Sequence, residues 1–142
     1  MSPTAITISP AHRAELLHAA RQIAQHSYAP YSGFRVGAAL LLEGGVIVAA
    51  ANVENASYGL SICAERAAIF SAIAQHGPKV RISAVAITNL NNAPSPPCGG
   101  CRQVLSEFMP PDGLVLFPFD GTVETHTLVE LFPLGFDLTH AG

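Results

Sequence analysis

The first half of the chain alternates between helical and strand-like spacing of its apolar residues. Ser9 followed by Pro10 predicts the start of a helix, because serine caps helix ends and proline fits the first helical position. The apolar residues that follow recur every three or four positions as far as about His26. Two apolar runs, 35–42 and 46–51, flank a glycine-rich turn and predict a β-hairpin.

The second half continues this alternation, with Gly-Pro and Pro-Pro pairs between the apolar segments. In chain order the pattern predicts a helix over 63–76, a strand over 82–88, a helix over 98–109, strands over 114–117 and 122–127, and a short helix over 127–133. The last helix opens with Thr-x-x-Glu, the spacing of a capping box.

Helices interleaved with about five strands indicate an α/β fold. The first two strands form an antiparallel pair, and we expect crossovers to join the later ones. A mixed sheet of this kind is covered by helices on both faces. The pattern therefore predicts a three-layer α/β/α sandwich, with residues 1–142 as one domain.

The chain has three cysteines, Cys63, Cys98 and Cys101, and they lie where two of the helices are predicted to start. Two of them are joined by a Gly-Gly turn that directs both sulfurs to one point. Helix N-termini favour thiolates. A structural zinc site needs four protein ligands, whereas a catalytic site uses three and keeps a fourth position open. We therefore expect one catalytic Zn²⁺ per chain.

Glu65 follows the first cysteine by two residues. A carboxylate at that spacing, with Pro-Cys-x-x-Cys further along the chain, is the arrangement of zinc-dependent nucleobase deaminases. In that arrangement Glu65 moves protons and is not a zinc ligand. The polar residues Asn52 and Glu54 follow an apolar strand, where side chains often form a site. Together the motifs predict hydrolytic deamination.

Composition and charge limit the kinds of partner and the cellular compartment that we expect for this protein. Charged residues make up 12% of the chain, against roughly 25% in a typical soluble domain, which favours an oligomer. The net charge is −3 and the seven Lys and Arg residues are dispersed, so we expect no nucleic-acid partner. No apolar run approaches the roughly 18 residues of a membrane span, and no signal-peptide pattern is present. An odd cysteine count with one Cys-x-x-Cys pair favours the reducing cytoplasm.

These motifs and their flanking segments resemble the short-chain, homotetrameric cytidine deaminases. The matching segments are 29–32, 36–40, 52–58, 63–66, 97–104 and 131–133, together with Phe34 and Phe136. The resemblance implies zinc-dependent deamination of cytidine and 2′-deoxycytidine in pyrimidine salvage. It also implies a homotetramer in which neighbouring subunits complete each site.

The resemblance further implies a role for each site residue. Cys63, Cys98 and Cys101 would be the zinc ligands and Glu65 the proton shuttle. Asn52 and Glu54 would hydrogen-bond the ribose 3′-hydroxyl, and Phe34 would pack on the pyrimidine ring. The backbone of Ala64 would contact the base, and Arg66 would donate hydrogen bonds to the cysteine sulfurs. Tyr58 and Phe136 would reach the site of a neighbouring subunit. A carboxylate beside the sugar would repel a phosphate, so we expect a free pyrimidine nucleoside as substrate.

Each motif also has a simpler reading. Cys-x-x-Cys alone fits a redox dithiol or half of a zinc knuckle. Aromatic side chains pack in protein cores more often than they bind ligands, which is the alternative for Phe34, Tyr58 and Phe136. Arg102 could simply pair with a carboxylate. Three rival functions follow: a deaminase of an aminopyrimidine antibiotic nucleoside, similar to blasticidin deaminase, a non-catalytic zinc-stabilised module, and single-stranded nucleic-acid editing, which the acidic balance opposes.

Overall fold

The structure is a computed structural model that describes residues 7–138. Its helices are α1 (Pro10–Ala24), α2 (Ala64–His76), α3 (Gly99–Phe108) and α4 (Leu128–Leu131). Its strands are β1 (Val36–Leu42), β2 (Ile47–Ala51), β3 (Ile82–Asn89), β4 (Leu114–Phe119) and β5 (Thr122–Thr127). A 3₁₀ turn at Tyr58–Leu60, which the sequence pattern did not predict, precedes α2.

The five strands form one mixed sheet in the order β2-β1-β3-β4-β5. β1 is antiparallel to both β2 and β3, and β4 is parallel to β3. Consequently β2, β3 and β4 run in one direction, and α2 and α3 are the crossovers between them. The predicted α/β fold with a mixed sheet of about five strands is confirmed.

The connection between β4 and β5 is a hairpin, whereas a crossover was expected there. β4 and β5 pair as an antiparallel hairpin, from Leu114 opposite Thr127 to Phe119 opposite Thr122. Two residues join them, and both have positive φ, 50° at Asp120 and 81° at Gly121. A two-residue loop with that backbone suits a hairpin, whereas a parallel crossover needs a dozen or more residues.

Helices cover both faces of the sheet. On β1, Ala38 and Leu40 face a core that contains residues of α2, α3 and α4, whereas Ala39 and Leu41 face a smaller core against α1. Side chains alternate between the two faces because the strand repeat is two residues. The expected three-layer α/β/α arrangement is thereby confirmed.

Local capping explains where two helices begin. The Ser9 side chain accepts a hydrogen bond of 3.0 Å from the backbone nitrogen of His12, and proline follows at the first helical position. At α4, Thr127 and Glu130 form the predicted capping box. Both helix starts were predictable from the sequence, because each capping contact joins residues only three positions apart.

Gly37 allows α1 to lie directly against β1. A Cβ at this position would be 2.0 Å from the carbonyl oxygen of Ala20 and 2.9 Å from the backbone nitrogen of Ala24. Both atoms belong to the α1 backbone, so a side chain at position 37 would push the helix away from the sheet.

Among the described residues, none of the helices combines the length and the apolar character that crossing a lipid bilayer requires.

We expect Gly37→Ala to lower the free energy of unfolding by about 1–3 kcal/mol, because the added methyl group overpacks a contact made of backbone atoms. Gly59→Ala is the matched control, since a Cβ at position 59 would meet nothing within 4 Å. Urea denaturation of both variants measures the difference. Equal unfolding midpoints would contradict the close approach of α1 to β1.

Candidate active site

The start of α2 and the start of α3 lie at the same edge of the sheet. Each helix follows a strand, β2 or β3, and those two strands run in the same direction on either side of β1. Cys63 is the N-cap residue of α2 and Cys98 is the N-cap residue of α3, both with extended backbone. Cys101 lies in the first turn of α3 and is fully buried.

The three cysteine sulfurs form a compact cluster. The Sγ atoms of Cys63 and Cys98 are 4.0 Å apart, those of Cys98 and Cys101 are 3.5 Å apart, and all three lie within 4.8 Å of one another. Tetrahedral zinc with Zn–S bonds of about 2.3 Å places its sulfur ligands about 3.8 Å apart. Across residues 7–138, neither a histidine nor a carboxylate belongs to this cluster. The donor set therefore fits a zinc ion with three protein ligands.

Arg66 supplies a positive charge beside the sulfurs. Its Nη2 donates to the Cys63 sulfur at 3.3 Å, and its Nε is buried without a hydrogen-bond partner among the described residues. The contact with Cys63 raises the pKa of Arg66, so the guanidinium stays charged. Hydrogen bonding from Cys101, together with Arg66, lowers the pKa of Cys63. This environment favours the thiolate, which is the form of cysteine that binds a metal.

Glu65 is a buried carboxyl group in the first turn of α2, with 5% of its surface exposed. Burial raises the pKa of Glu65 to about 7, because a charged carboxylate loses hydration there. A group with a pKa near the working pH can both accept and return a proton.

One cavity of about 460 Å³ adjoins the cysteine cluster. Cys63 and Cys98 line it, and six further residues from the predicted site do so as well: Phe34, Asn52, Glu54, Tyr58, Ala64 and Glu65. The structure thus brings together side chains from four separate parts of the sequence. The volume of this cavity is suitable for a small ligand.

Glu54 is held as a hydrogen-bond acceptor inside this cavity. Its Oε1 accepts from the backbone nitrogens of Tyr31 and Ser32, at 3.0 and 3.1 Å, and its Oε2 accepts from the Ser32 hydroxyl. These contacts, the Ser32 hydroxyl first among them, lower the pKa of Glu54. Glu54 is therefore a carboxylate at neutral pH, with 7% of its surface exposed.

Asn52 supports the segment that carries Phe34. Its Oδ1 accepts from the backbone nitrogen of Val36 at 2.9 Å and from the Ser27 hydroxyl, and its Nδ2 donates to the carbonyl of Phe34 at 2.8 Å. An amide group has two N–H donors, and within residues 7–138 only the Phe34 carbonyl accepts from Nδ2, so one Nδ2 hydrogen remains for a ligand. The side chain therefore has a structural task as well as a free donor.

The structure separates the two residues expected to reach a neighbouring subunit. Tyr58 is 63% exposed at the rim of this chain's own cavity. Phe136 is 66% exposed and lines a different cavity with Phe132 and Gly135. The side chain of Gln103 holds the backbone of Phe136 through two hydrogen bonds of 2.9 and 3.0 Å. In this chain, Phe136 does not join the cysteine site.

Two residues near the site were missed or misread from the sequence. Among the described residues, Arg102 pairs with two backbone carbonyls instead of the expected carboxylate. Its Nε donates to the Pro97 carbonyl and its Nη1 to the Leu131 carbonyl, both at 2.8 Å. It thereby ties the loop before Cys98 to α4. Ser32, the partner of Glu54, belongs to the matching segment 29–32, but serine is an ordinary residue in a turn, so no role was predicted for it.

Comparison with known proteins agrees with this geometry. The sequence model of the cytidine and deoxycytidylate deaminase zinc-binding region matches residues 10–116. A cytidine deaminase of Halalkalibacterium halodurans is 43% identical over 125 residues, which are 87% of this chain and 93% of that protein. The crystal structure of cytidine deaminase from Burkholderia pseudomallei matches with a TM-score of 0.78 and 41% identity, covering 87% of this chain and 98% of that one.

A blasticidin-S deaminase of Bacillus cereus is also similar, at 32% identity over 108 residues, which are 71% of this chain and 76% of that protein.

The matched family region is a zinc-binding region, and its range, 10–116, spans the three clustered cysteines. The expectation of Zn²⁺ as the cofactor is confirmed. The chain belongs to the cytidine and deoxycytidylate deaminase family.

Proposed function

We propose that the protein is a cytidine deaminase that converts cytidine and 2′-deoxycytidine to uridine, 2′-deoxyuridine and ammonia in pyrimidine salvage. The observation that carries this proposal is the single cavity that the cysteine cluster shares with Glu65, Asn52 and Glu54. A metal-binding group, a buried proton carrier and a polar pair suited to a sugar hydroxyl are the parts that the reaction needs. A redox dithiol or a structural zinc site needs neither the carboxyl group nor the pair.

The chemistry places Glu65 at the centre of proton transfer. Zn²⁺ held by the three sulfurs would act as a Lewis acid that makes water nucleophilic at neutral pH. Glu65 takes a proton from the attacking water and delivers it to N3 of the cytosine ring, which makes C4 electrophilic. A second proton passed to the amino group releases ammonia, so cytidine and water give uridine and ammonia.

The cavity wall supports recognition of a nucleoside. The free Nδ2 hydrogen of Asn52 donates to the ribose 3′-hydroxyl oxygen, and Glu54 accepts the hydroxyl proton, since a hydroxyl can donate and accept at once. Phe34 packs on the pyrimidine ring. The N–H of Ala64 lies in the first turn of α2, where backbone donors have no partner within the helix, and it contacts the base.

The chain works as a homotetramer in which a neighbouring subunit completes each site. Large apolar side chains on its surface support this, among them Leu60 with 69% and Phe136 with 66% of their surface exposed. Phe136 lies outside its own chain's cavity, as a residue that serves a neighbour's site would. The cytoplasm suits the protein, because reducing conditions keep the three thiols free for metal.

We expect Glu65→Ala to lower the turnover of cytidine by about 10²- to 10⁴-fold, because proton transfer to N3 and to the amino group is lost. Ammonia release by the zinc-loaded protein measures turnover, and metal analysis checks that one zinc per chain remains. Glu65→Gln, which keeps the shape of this buried side chain, is the control for packing.

Wild-type turnover in both variants would contradict the role of Glu65. A zinc-loaded wild type that releases ammonia from blasticidin S but none from cytidine would support the antibiotic-nucleoside alternative. Turnover of neither substrate would support the non-catalytic zinc module.

The carboxylate of Glu54 should make the enzyme selective for nucleosides. We expect cytidine 5′-monophosphate to react far more slowly than cytidine, because its phosphate approaches a fixed negative charge. Comparison of kcat/KM for the two compounds measures the selectivity. Equal kcat/KM values for the two compounds would contradict the idea that Glu54 repels a phosphate.

Shared sites predict complementation between inactive variants. Glu65→Ala subunits still offer Phe136, and Phe136→Ala subunits still offer Glu65, so co-expressed mixtures should recover activity above that of either variant alone. Light scattering should give the mass of four 14.8 kDa chains. A monomer, or mixtures no more active than the better single variant, would contradict the shared site.

A further inference from the structure

The Ser32 hydroxyl connects two residues of the cavity wall. It donates to Oε2 of Glu54 and accepts a hydrogen bond of 3.0 Å from the backbone nitrogen of Phe34. The direction of both contacts is unambiguous, because the Phe34 nitrogen can only donate and an ionised carboxylate can only accept. Ser32 also lines the cavity, although the surrounding turn is exposed to solvent.

These contacts leave one acceptor position on the Glu54 carboxylate. A carboxylate oxygen accepts about two hydrogen bonds. Oε1 already accepts two, from the backbone nitrogens of Tyr31 and Ser32. Oε2 accepts one from the Ser32 hydroxyl, so its remaining lone pair is the position open to a substrate hydroxyl.

We propose that Ser32 is a positioning residue that makes Glu54 a selective acceptor for the ribose 3′-hydroxyl. This inference rests on the proposed function of Asn52 and Glu54. The serine proton occupies one lone pair of Oε2 and leaves the other available to the substrate. The same hydroxyl ties the backbone of Phe34 to the carboxylate, so sugar recognition and ring packing share one anchor.

A second polar side chain provides a matched control on the same segment. Asn91 accepts from the backbone nitrogen of Arg35 at 2.9 Å and donates to the Gly33 carbonyl at 3.0 Å. It therefore clamps the segment on both sides of Phe34. No hydrogen bond joins Asn91 to Glu54 among the described residues, so we expect Asn91→Ala to loosen Phe34 while every hydrogen bond to the Glu54 carboxylate is retained.

The test compares kcat/KM for cytidine and 3′-deoxycytidine in the wild type, Ser32→Ala, Ser32→Thr and Asn91→Ala. Ser32→Ala should lower both values, because the backbone of Phe34 loses an anchor, and should lower the value for cytidine about tenfold more, mainly through KM, since a hydrogen bond to the charged group that binds its 3′-hydroxyl is lost. Ser32→Thr keeps a hydroxyl and should restore the preference. Asn91→Ala should lower both values by the same factor and leave the preference unchanged.

Binding of the product provides a second readout that needs no turnover. Calorimetry with uridine and 3′-deoxyuridine should show that Ser32→Ala weakens binding of uridine more than binding of 3′-deoxyuridine, while thermal unfolding checks that the variant is folded. Equal losses for both ligands in Ser32→Ala would overturn the positioning role. A wild type that neither deaminates cytidine nor binds uridine would instead refute the proposed function itself.

Discussion

The common direction of β2 and β3 is the constraint on which the cysteine site depends. β1 lies between them and runs opposite to both, so their carboxyl ends meet at one edge of the sheet and the two following helices begin there. Reversing either strand would move one helix start to the opposite edge, roughly 17–20 Å away for a strand of ordinary length. Strand direction thus brings Cys63 to Cys98, and Gly37 lets α1 close the opposite face of the same sheet.

The first turn of α2 combines three electrostatic tasks. Cys63 offers a thiolate, Glu65 a buried carboxyl group and Arg66 a guanidinium, all within four residues. Three thiolates around a bound zinc dication would leave a net negative charge, which would weaken the acidifying effect of the metal on water. Arg66 and the two helix N-termini would offset that charge.

Sequence signals predicted the features that local interactions determine. Ser9 and Thr127 cap helices through residues three positions away, and the cysteines follow from helix starts and a Gly-Gly turn. The contacts of Ser32 with Glu54 and of Arg102 with Leu131 span 22 and 29 residues. Hydrogen bonds of this kind depend on how segments far apart in the chain meet in space, so local spacing predicts neither the partner of Ser32 nor that of Arg102.

The attachment of the C-terminal segment has a consequence for how the family can diversify. Gln103 binds the peptide nitrogen and the carbonyl of Phe136 and makes no hydrogen bond to its aromatic ring. Every residue except proline offers that pair of peptide groups. These two hydrogen bonds therefore do not depend on which side chain is present at position 136. A different residue at position 136 would keep both hydrogen bonds, so the side chain displayed there can change while its attachment to α3 is retained.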